Sequence, residues 1–299
     1  MNLEKLMRID RRLIFLLIAL AVIFPLLFPI GLPTHLSKPV QDTFNAVDSI
    51  PPDGPPLMLS IDYDPAAMPE LYPMTLAILR HCFSRNIRVL ILTLHRAGPG
   101  IGEMATTRIA KEYGKKEGED YVYLGFKPGF GAVILRMGED IHGAFLTDYY
   151  NRPIGEIPMM REIHNYDDIP LVICLSAAAI PELWMMYAGS RYHQTIAAGV
   201  TAVSAADYYP FLQTDQLVGL IGGLKGASEY EKLVNELEER LGVDKKRKES
   251  LSKEEYEKLQ VSHSKASAGM DSQSIAHLVI IAFIVIGNVA YFAQRRKKR

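Results

Sequence analysis

Two long apolar runs bracket the chain, and between them apolar residues come in short blocks separated by polar turns. The first run, Leu13 to Leu32 (LIFLLIALAVIFPLLFPIGL), has no charged residue. As a helix it covers about 30 Å, the thickness of a bilayer core. Ile275 to Ala293 (IAHLVIIAFIVIGNVAYFA) is the second, with His277 and Asn288 as its polar interruptions. Both runs predict a membrane-spanning helix, one at each end of the chain. The first is expected to stay as an anchor, because Gly31-Leu32-Pro33-Thr34-His35 offers no small-x-small cleavage pattern. Pro25 and Pro29 are expected to end or kink it in its outer half. His277 and Asn288 read as a headgroup-level residue and a helix-packing hydrogen bond.

Residues 40–241 alternate between strand-like and helix-like blocks. Leu57 to Tyr63 (LMLSIDY), Val89 to Leu94 (VLILTL), Tyr121 to Phe126 (YVYLGF), Leu171 to Ser176 (LVICLS) and Gln194 to Ala198 (QTIAA) predict buried strands. Helices are expected over Pro69 to Phe83, Glu103 to Tyr113, Gly131 to Met137, Ile157 to Ile163 and Pro181 to Tyr192. A further long helix, capped by Thr214 or Asp215, is expected to continue to about Leu241. The alternation predicts a Rossmann-like α/β domain, a mostly parallel sheet with helices on both faces. Residues 127–168 are the least regular part. Residues 242–273 are charged and Ser-rich and read as a solvated helical or flexible tether.

Charge then orients the chain. Lys5, Arg8, Arg11 and Arg12 precede the first run, and Arg295 to Arg299 (RRKKR) follow the second. Basic flanks stay cytoplasmic, so the tails 1–12 and 294–299 are expected inside, with spans at 13–32 and 275–293 and the central domain on the extracytoplasmic side of the cell membrane. Net charge is −1, which gives no general attraction to nucleic acid. Cys82 and Cys174 are the two cysteines. Their apolar surroundings read as buried free thiols, with a disulfide between them left open.

Candidate chemistry is sought just after the strands, where ligands sit in open α/β sheets. Asp62-Tyr63-Asp64 can hold a divalent cation or divide nucleophile and acid–base roles in phosphoryl transfer. Ser176 is available as a third participant, although the later acidic pair of phosphatases that use Asp-x-Asp is missing. Asp64-Pro65 is equally readable as strand exit and helix entry. His95 and Arg96, followed by Gly98 and Gly100, form a loop able to hold an anion at a helix start, but Gly98-Pro99-Gly100-Ile101-Gly102 matches no nucleotide fingerprint. Lys127, Thr201 and Ser204 complete the candidate ligand-binding set. Ser176 lacks the surroundings of a nucleophile elbow and reads as a helix cap. Gly219, Gly222, Gly223 and Gly226 are expected on the long helix, packed closely within the domain or against a second subunit.

The phrases LSIDYDP (Leu59 to Pro65), LRHCF (Leu79 to Phe83), EDYVYLGFKPG (Glu119 to Gly129), TDYY (Thr147 to Tyr150), GVTAVSA (Gly199 to Ala205) and QLVGLIGGLKGASEYE (Gln216 to Glu231) together resemble a family of uncharacterised prokaryotic two-span membrane proteins. The resemblance covers most of residues 40–241. It implies architecture, a Rossmann-like domain between membrane helices, and no reaction. At the level of fold, the arrangement is also similar to auxiliary subunits of gliding-type ABC transporters. The leading expectation is a non-enzymatic binding or assembly component, accessory to a membrane transport system, with the lipid bilayer and a membrane protein or a second copy as partners. The alternative is a metal-dependent, phosphatase-like hydrolase acting on an anionic envelope substrate, with Asp62 and Asp64 on the metal and Arg96 or Lys127 as charge clamp. A third, a small-ligand sensor, is weakened by the short tails.

Overall fold

A computed structural model describes residues 10–28, 30–32 and 35–297. Lys5, Arg8, Pro29, Lys298 and Arg299, used above for orientation and helix ending, lie outside them. The chain divides into two compact units, residues 34–266 and the combined segments 1–33 and 267–299.

Helix α1 (Arg11–Leu27) opens the chain. The 34–266 unit then runs α2 (Lys38–Asp48), β1 (Leu57–Asp62), α3 (Met68–Ser84), β2 (Val89–Thr93), α4 (Pro99–Tyr113), β3 (Tyr121–Phe126), α5 (Phe130–Glu139) and α6 (Ile141–Ala144). Three short 3-10 turns between Ile154 and Asp168 lead to β4 (Val172–Ser176). Next come α7 (Ile180–Trp184), a π turn (Met185–Gly189), α8 (Ser190–Tyr192), β5 (Ile196–Val200), α9 (Ala202–Gln213) and β6 (Gly219–Gly222). The unit closes with α10 (Gly223–Arg240), α11 (Val243–Ser250) and α12 (Lys253–His263), and α13 (Lys265–Lys297) follows.

All six strands are parallel, in the order β3-β2-β1-β4-β5-β6. Strand pleating divides the core. Leu57, Leu59, Ile61, Val89, Ile91, Ile173 and Leu175 pack on one face, while Met58, Leu90, Leu92, Val122, Val172 and Cys174 pack on the other. Burial on both faces is why these strands read as continuous apolar runs. Cys82 belongs to the first cluster and Cys174 to the second, and both thiols are free, so the open disulfide is resolved against.

Several expectations are corrected. The long helix expected from 214 to 241 is two elements, β6 and α10, so Gly219 and Gly222 lie on a strand and Gly223 and Gly226 in the first turn of a helix. Gly223 makes the turn between them at φ 60, where a Cβ is strained. A Cβ at Gly219 would stand 2.6 Å from the backbone nitrogen of Thr43 on α2, the helix packed on this edge strand. Gly222 lies against Ala205, and Gly226 against Ile221, so all of these close approaches are made within the unit. Gly219→Ala is therefore expected to push α2 off the sheet edge and destabilise by about 1–3 kcal/mol, measured by denaturant unfolding. The helix expected at Ile157 to Ile163 is a 3-10 turn, Pro158–Glu162.

Residues 242–264 are not a loose tether. Ser252 and Glu255 form a reciprocal capping box at the start of α12. Both α11 and α12 are held to the domain by buried charges. Glu238 of α10 accepts from Arg80 of α3 (2.9 Å) and from Arg247 of α11 (2.8 Å). Arg247 also pairs with Glu112 of α4 at 3.0 Å, and Arg80 donates to the backbone oxygen of His263 at 3.3 Å.

In the second unit, α1 is 17 residues long, about 26 Å. It ends at Leu27 and not at Leu32, because Phe28 precedes a proline and leaves the helix at φ −131, ψ 83. Among the described residues one helix is long and apolar enough to cross a bilayer, Lys265–Val289, with mean hydropathy 1.8. A second such helix, expected at the N-terminal end, is not found among them. The two segments meet where α1 ends. Asp271, buried on α13, accepts from the backbone N–H groups of Ile30, Gly31 and Leu32 at 3.0, 2.8 and 3.1 Å. Ser272 donates to the Val22 carbonyl at 2.7 Å.

Candidate functional site

Strand order reverses between β1 and β4, and in an open parallel sheet that point, at the carboxyl ends of the strands, is where ligands bind. Its two terminal residues are Asp62 and Ser176, directly opposite each other in register. Pleat parity puts Asp62 on the same face as Ser60 and Met58, turned into the sheet. The Asp62 carboxylate is 1% exposed. It accepts from the Ser60 hydroxyl (2.5 Å) and the Leu94 N–H (2.5 Å), and the Cys174 thiol lies at 3.5 Å. Burial raises its pKa above the usual carboxylate range, against the pull of the Ser60 and Leu94 hydrogen bonds. Burial, and then the neighbouring Asp62, likewise push the Cys174 thiol well up. Asp62 thus ties β1, β2 and β4 together from within.

Asp64 faces the other way. It is exposed, and its Oδ1 accepts from the N–H groups of Ala66 (3.0 Å) and Ala67 (3.3 Å), a local turn at the entry to α3. Its oxygens and those of Asp62 have separate hydrogen-bond partners, one carboxylate buried in the sheet and the other at the surface. Among the described residues no group of three or more His, Cys, Asp or Glu is arranged to hold a metal ion. Ser176 is fully buried. Its hydroxyl donates to the Asp62 carbonyl (3.1 Å) and accepts from the Ala178 N–H (3.0 Å), so it holds the turn after β4; the expected helix cap is not made, because Ala179 takes the N-cap position of α7 with no side-chain bond.

The remaining candidates are scattered along the same end of the sheet. Thr93 donates to the His95 carbonyl at 2.9 Å, and the His95 ring accepts from the Ala97 N–H at 3.3 Å. Arg96 is exposed, with no ion pair among the described residues. Gly98 is where the loop crosses β1, since a Cβ there would stand 2.6 Å from the Ile61 carbonyl, while Gly100 is open to solvent. Thr201 and Ser204 hydrogen-bond each other at 3.2 Å at the start of α9. Glu70 caps that helix by accepting from the Ala202 N–H at 2.8 Å. The sheet end is thus fixed by internal bonds, and its exposed chain just beyond β4 and β5 is apolar: Ala177, Ala178, Ala179, Ala202 and Val203.

No protein-family model, curated protein or solved structure matches this chain.

One feature of this end was not anticipated. Beyond β3, the loop Phe145 to Pro153 stands beside a cavity of about 570 Å³ that Lys127 and Phe126 also line. The buried Asp148 organises it, accepting from the N–H groups of Tyr150 (3.0 Å) and Arg152 (2.8 Å) and from the Arg152 guanidinium (2.6 Å). Asn151 turns the chain at φ 62, and Tyr149 donates its N–H to the Tyr123 carbonyl, covering the β3 edge. Held in this way, the loop exposes Leu146 (75%), Tyr149 and Tyr150, with Phe126 across the cavity from it. The Lys127 ammonium lies 5.8 Å from the Phe145 ring centroid. Its sequence signal was TDYYNRP: an acidic residue followed by Asn and Pro, as in a hydrogen-bonded turn.

Proposed function

We propose that the chain is a membrane-anchored binding or assembly component, in which α13 anchors the protein and the α/β domain, on the extracytoplasmic side, docks a partner protein, accessory to a membrane transport system. The observation that carries this reading is Leu146: a large apolar side chain, three-quarters exposed, at the base of a loop fixed by a buried carboxylate. A loop ordered in this way loses little entropy on docking, and a cluster of exposed aromatic and aliphatic side chains beside a cation is the composition of an interface centre. Asp62 and Ser176 support the same reading, because both are occupied in holding strands together. For the anchoring, α13 supplies apolar residues exposed around its surface, among them Leu278 and Ile284, and α1 does the same with Phe15 and Phe24.

A photo-crosslinking residue at position 146, with a control at the exposed Lys253 of α12, tests it in native membranes. Position 146 is expected to give a discrete protein adduct that 253 does not, and Leu146→Asp is expected to abolish co-purification of the adduct's partner. An adduct to a second copy would make the assembly homo-oligomeric. Equal labelling from both positions, or no protein adduct from 146, would remove the reading.

A further inference from the structure

A cavity of about 810 Å³ opens at the opposite end of the sheet, where the chain enters β5 and β6. Its volume lies within the few hundred to 1,000 Å³ that small-molecule sites commonly enclose. The walls come from the π turn after α7, the segments before β5 and β6, the end of α9 and the first turns of α2. Of these residues the sequence had marked Asp215, and only as a candidate helix cap.

The backbone is irregular at this cavity in three places. The π turn Met185–Gly189 contributes Met185 and Gly189 to the wall; such turns are uncommon and concentrate at functional sites. His193 and Asp215, both lining the cavity, lie in the left-handed region at φ 56 and φ 55. Glycine would adopt either conformation without strain. The chain instead carries an imidazole at one position and a carboxylate at the other, so each strained turn brings a polar side chain to the wall.

The chemistry of the wall selects a ligand class. Gln194 is 9% exposed; its Nε2 is fixed by the Ile169 carbonyl at 2.7 Å, while its Oε1 takes no hydrogen bond from the described residues. Gln213 and Tyr209 add an amide and a half-exposed phenol from α9. Lys38 is ion-paired with Asp42 at 2.6 Å, which leaves no cluster of free cations for a phosphate or sulfate. Amides, a carboxylate, an imidazole and a phenol, with an aromatic face and aliphatic patches at Leu212 and Ile196, fit a ligand that presents many hydroxyl groups, each both donor and acceptor, and a C–H face. We propose that this cavity is a binding site for a neutral oligosaccharide.

The site is independent of the docking loop, and its test uses full-length protein in lipid nanodiscs, which avoids sugar-headed detergents. Maltotriose, cellotriose and chitotriose are the probes, with inorganic phosphate as an anionic control, followed by saturation-transfer NMR. Trp184, the single tryptophan, precedes the π turn and gives a second signal by fluorescence. At least one trisaccharide is expected to bind saturably below 1 mM, with phosphate silent. His193→Gly and Asp215→Gly relieve the left-handed strain, so both variants are expected to keep or raise the melting temperature while weakening binding roughly tenfold. Gln194→Ala is expected to abolish binding, and Tyr209→Ala, on an exposed side chain, repeats the test where loss of the Ile169 bond impairs folding. The proposal is overturned if no trisaccharide binds at 10 mM, if phosphate binds in preference, or if the two glycine variants bind as the parent does.

Discussion

Glu238→Ala is expected to give the largest loss of stability of any single substitution in the domain, about 3–5 kcal/mol, because it leaves the buried Arg80 without a counter-ion and Arg247 with Glu112 alone. Tyr113 loses the acceptor of its hydroxyl as well. Burial opposes ionisation of Glu238, but the two arginines outweigh it and hold its carboxyl below the ordinary value of 4.5. A depressed carboxylate contributes stability above its unfolded pKa and loses it as pH falls through the folded one. Acid is therefore expected to weaken this junction below about pH 4.5, and the variant to show a flatter pH dependence than the parent over that range. Denaturant melts at several pH values measure both. Limited proteolysis localises the effect: cleavage should begin in α11 and α12, between Lys245 and Lys258, before the sheet opens. A variant that unfolds in one step with no early cleavage there would separate α12 from the ion pairs.

Asp62 leads to the second prediction. Asp62→Leu removes the acceptor of the Ser60 hydroxyl and the Leu94 N–H in a site with no water access, at about 1–3 kcal/mol for each group left unpaired. Asp62→Asn keeps an acceptor and is expected to fall far less. The sign with pH is opposite to that of Glu238. The Asp62 pKa is raised by burial, so its protonated form is the one the fold favours, and its contribution declines as pH rises through the folded pKa. The melting-temperature difference between Asp62→Asn and the parent should therefore move in favour of the asparagine variant from acidic to neutral pH. Were Asp62 instead a metal ligand, added divalent cation would raise the melting temperature of the parent and leave both variants unmoved, which separates the two roles.

Five strands and their order of occurrence were legible because burial on both faces makes β1 to β5 nearly uninterrupted apolar runs. β6 was not. Gly-Leu-Ile-Gly is too short and too glycine-rich to announce a strand, and its spacing with Gly223 and Gly226 imitates a helix-packing motif. α9 was missed for a different reason: only Tyr208 of its residues is buried, so no apolar stripe marks it. The α11–α12 segment carries no stripe either and is held by ion pairs to Glu112 and Glu238 and by the Arg80 hydrogen bond to the His263 carbonyl, and Arg80 and Glu112 are far away in sequence. At the sheet end, Asp62 was recognisable as a residue of consequence, and its direction was readable too. Ser60 and Asp62 share a parity with Met58, which points a carboxylate inward, whereas Asp64 lies beyond the strand, where parity ceases to apply. The aromatic loop depended on Asp148, whose burial no local pattern announces.

The contact of Asp271 with the end of the first helix has a consequence for biosynthesis. Ile30 and Asp271 are 241 residues apart, so at roughly 5–20 residues per second the ribosome works for about ten to fifty seconds after placing one before it supplies the other. Through that interval three peptide N–H groups at the helix exit lack this carboxylate and are left to water. The nascent chain must hold its first segment at a hydrated depth until the last helix arrives, and a product truncated before Asp271 would keep that end unsealed.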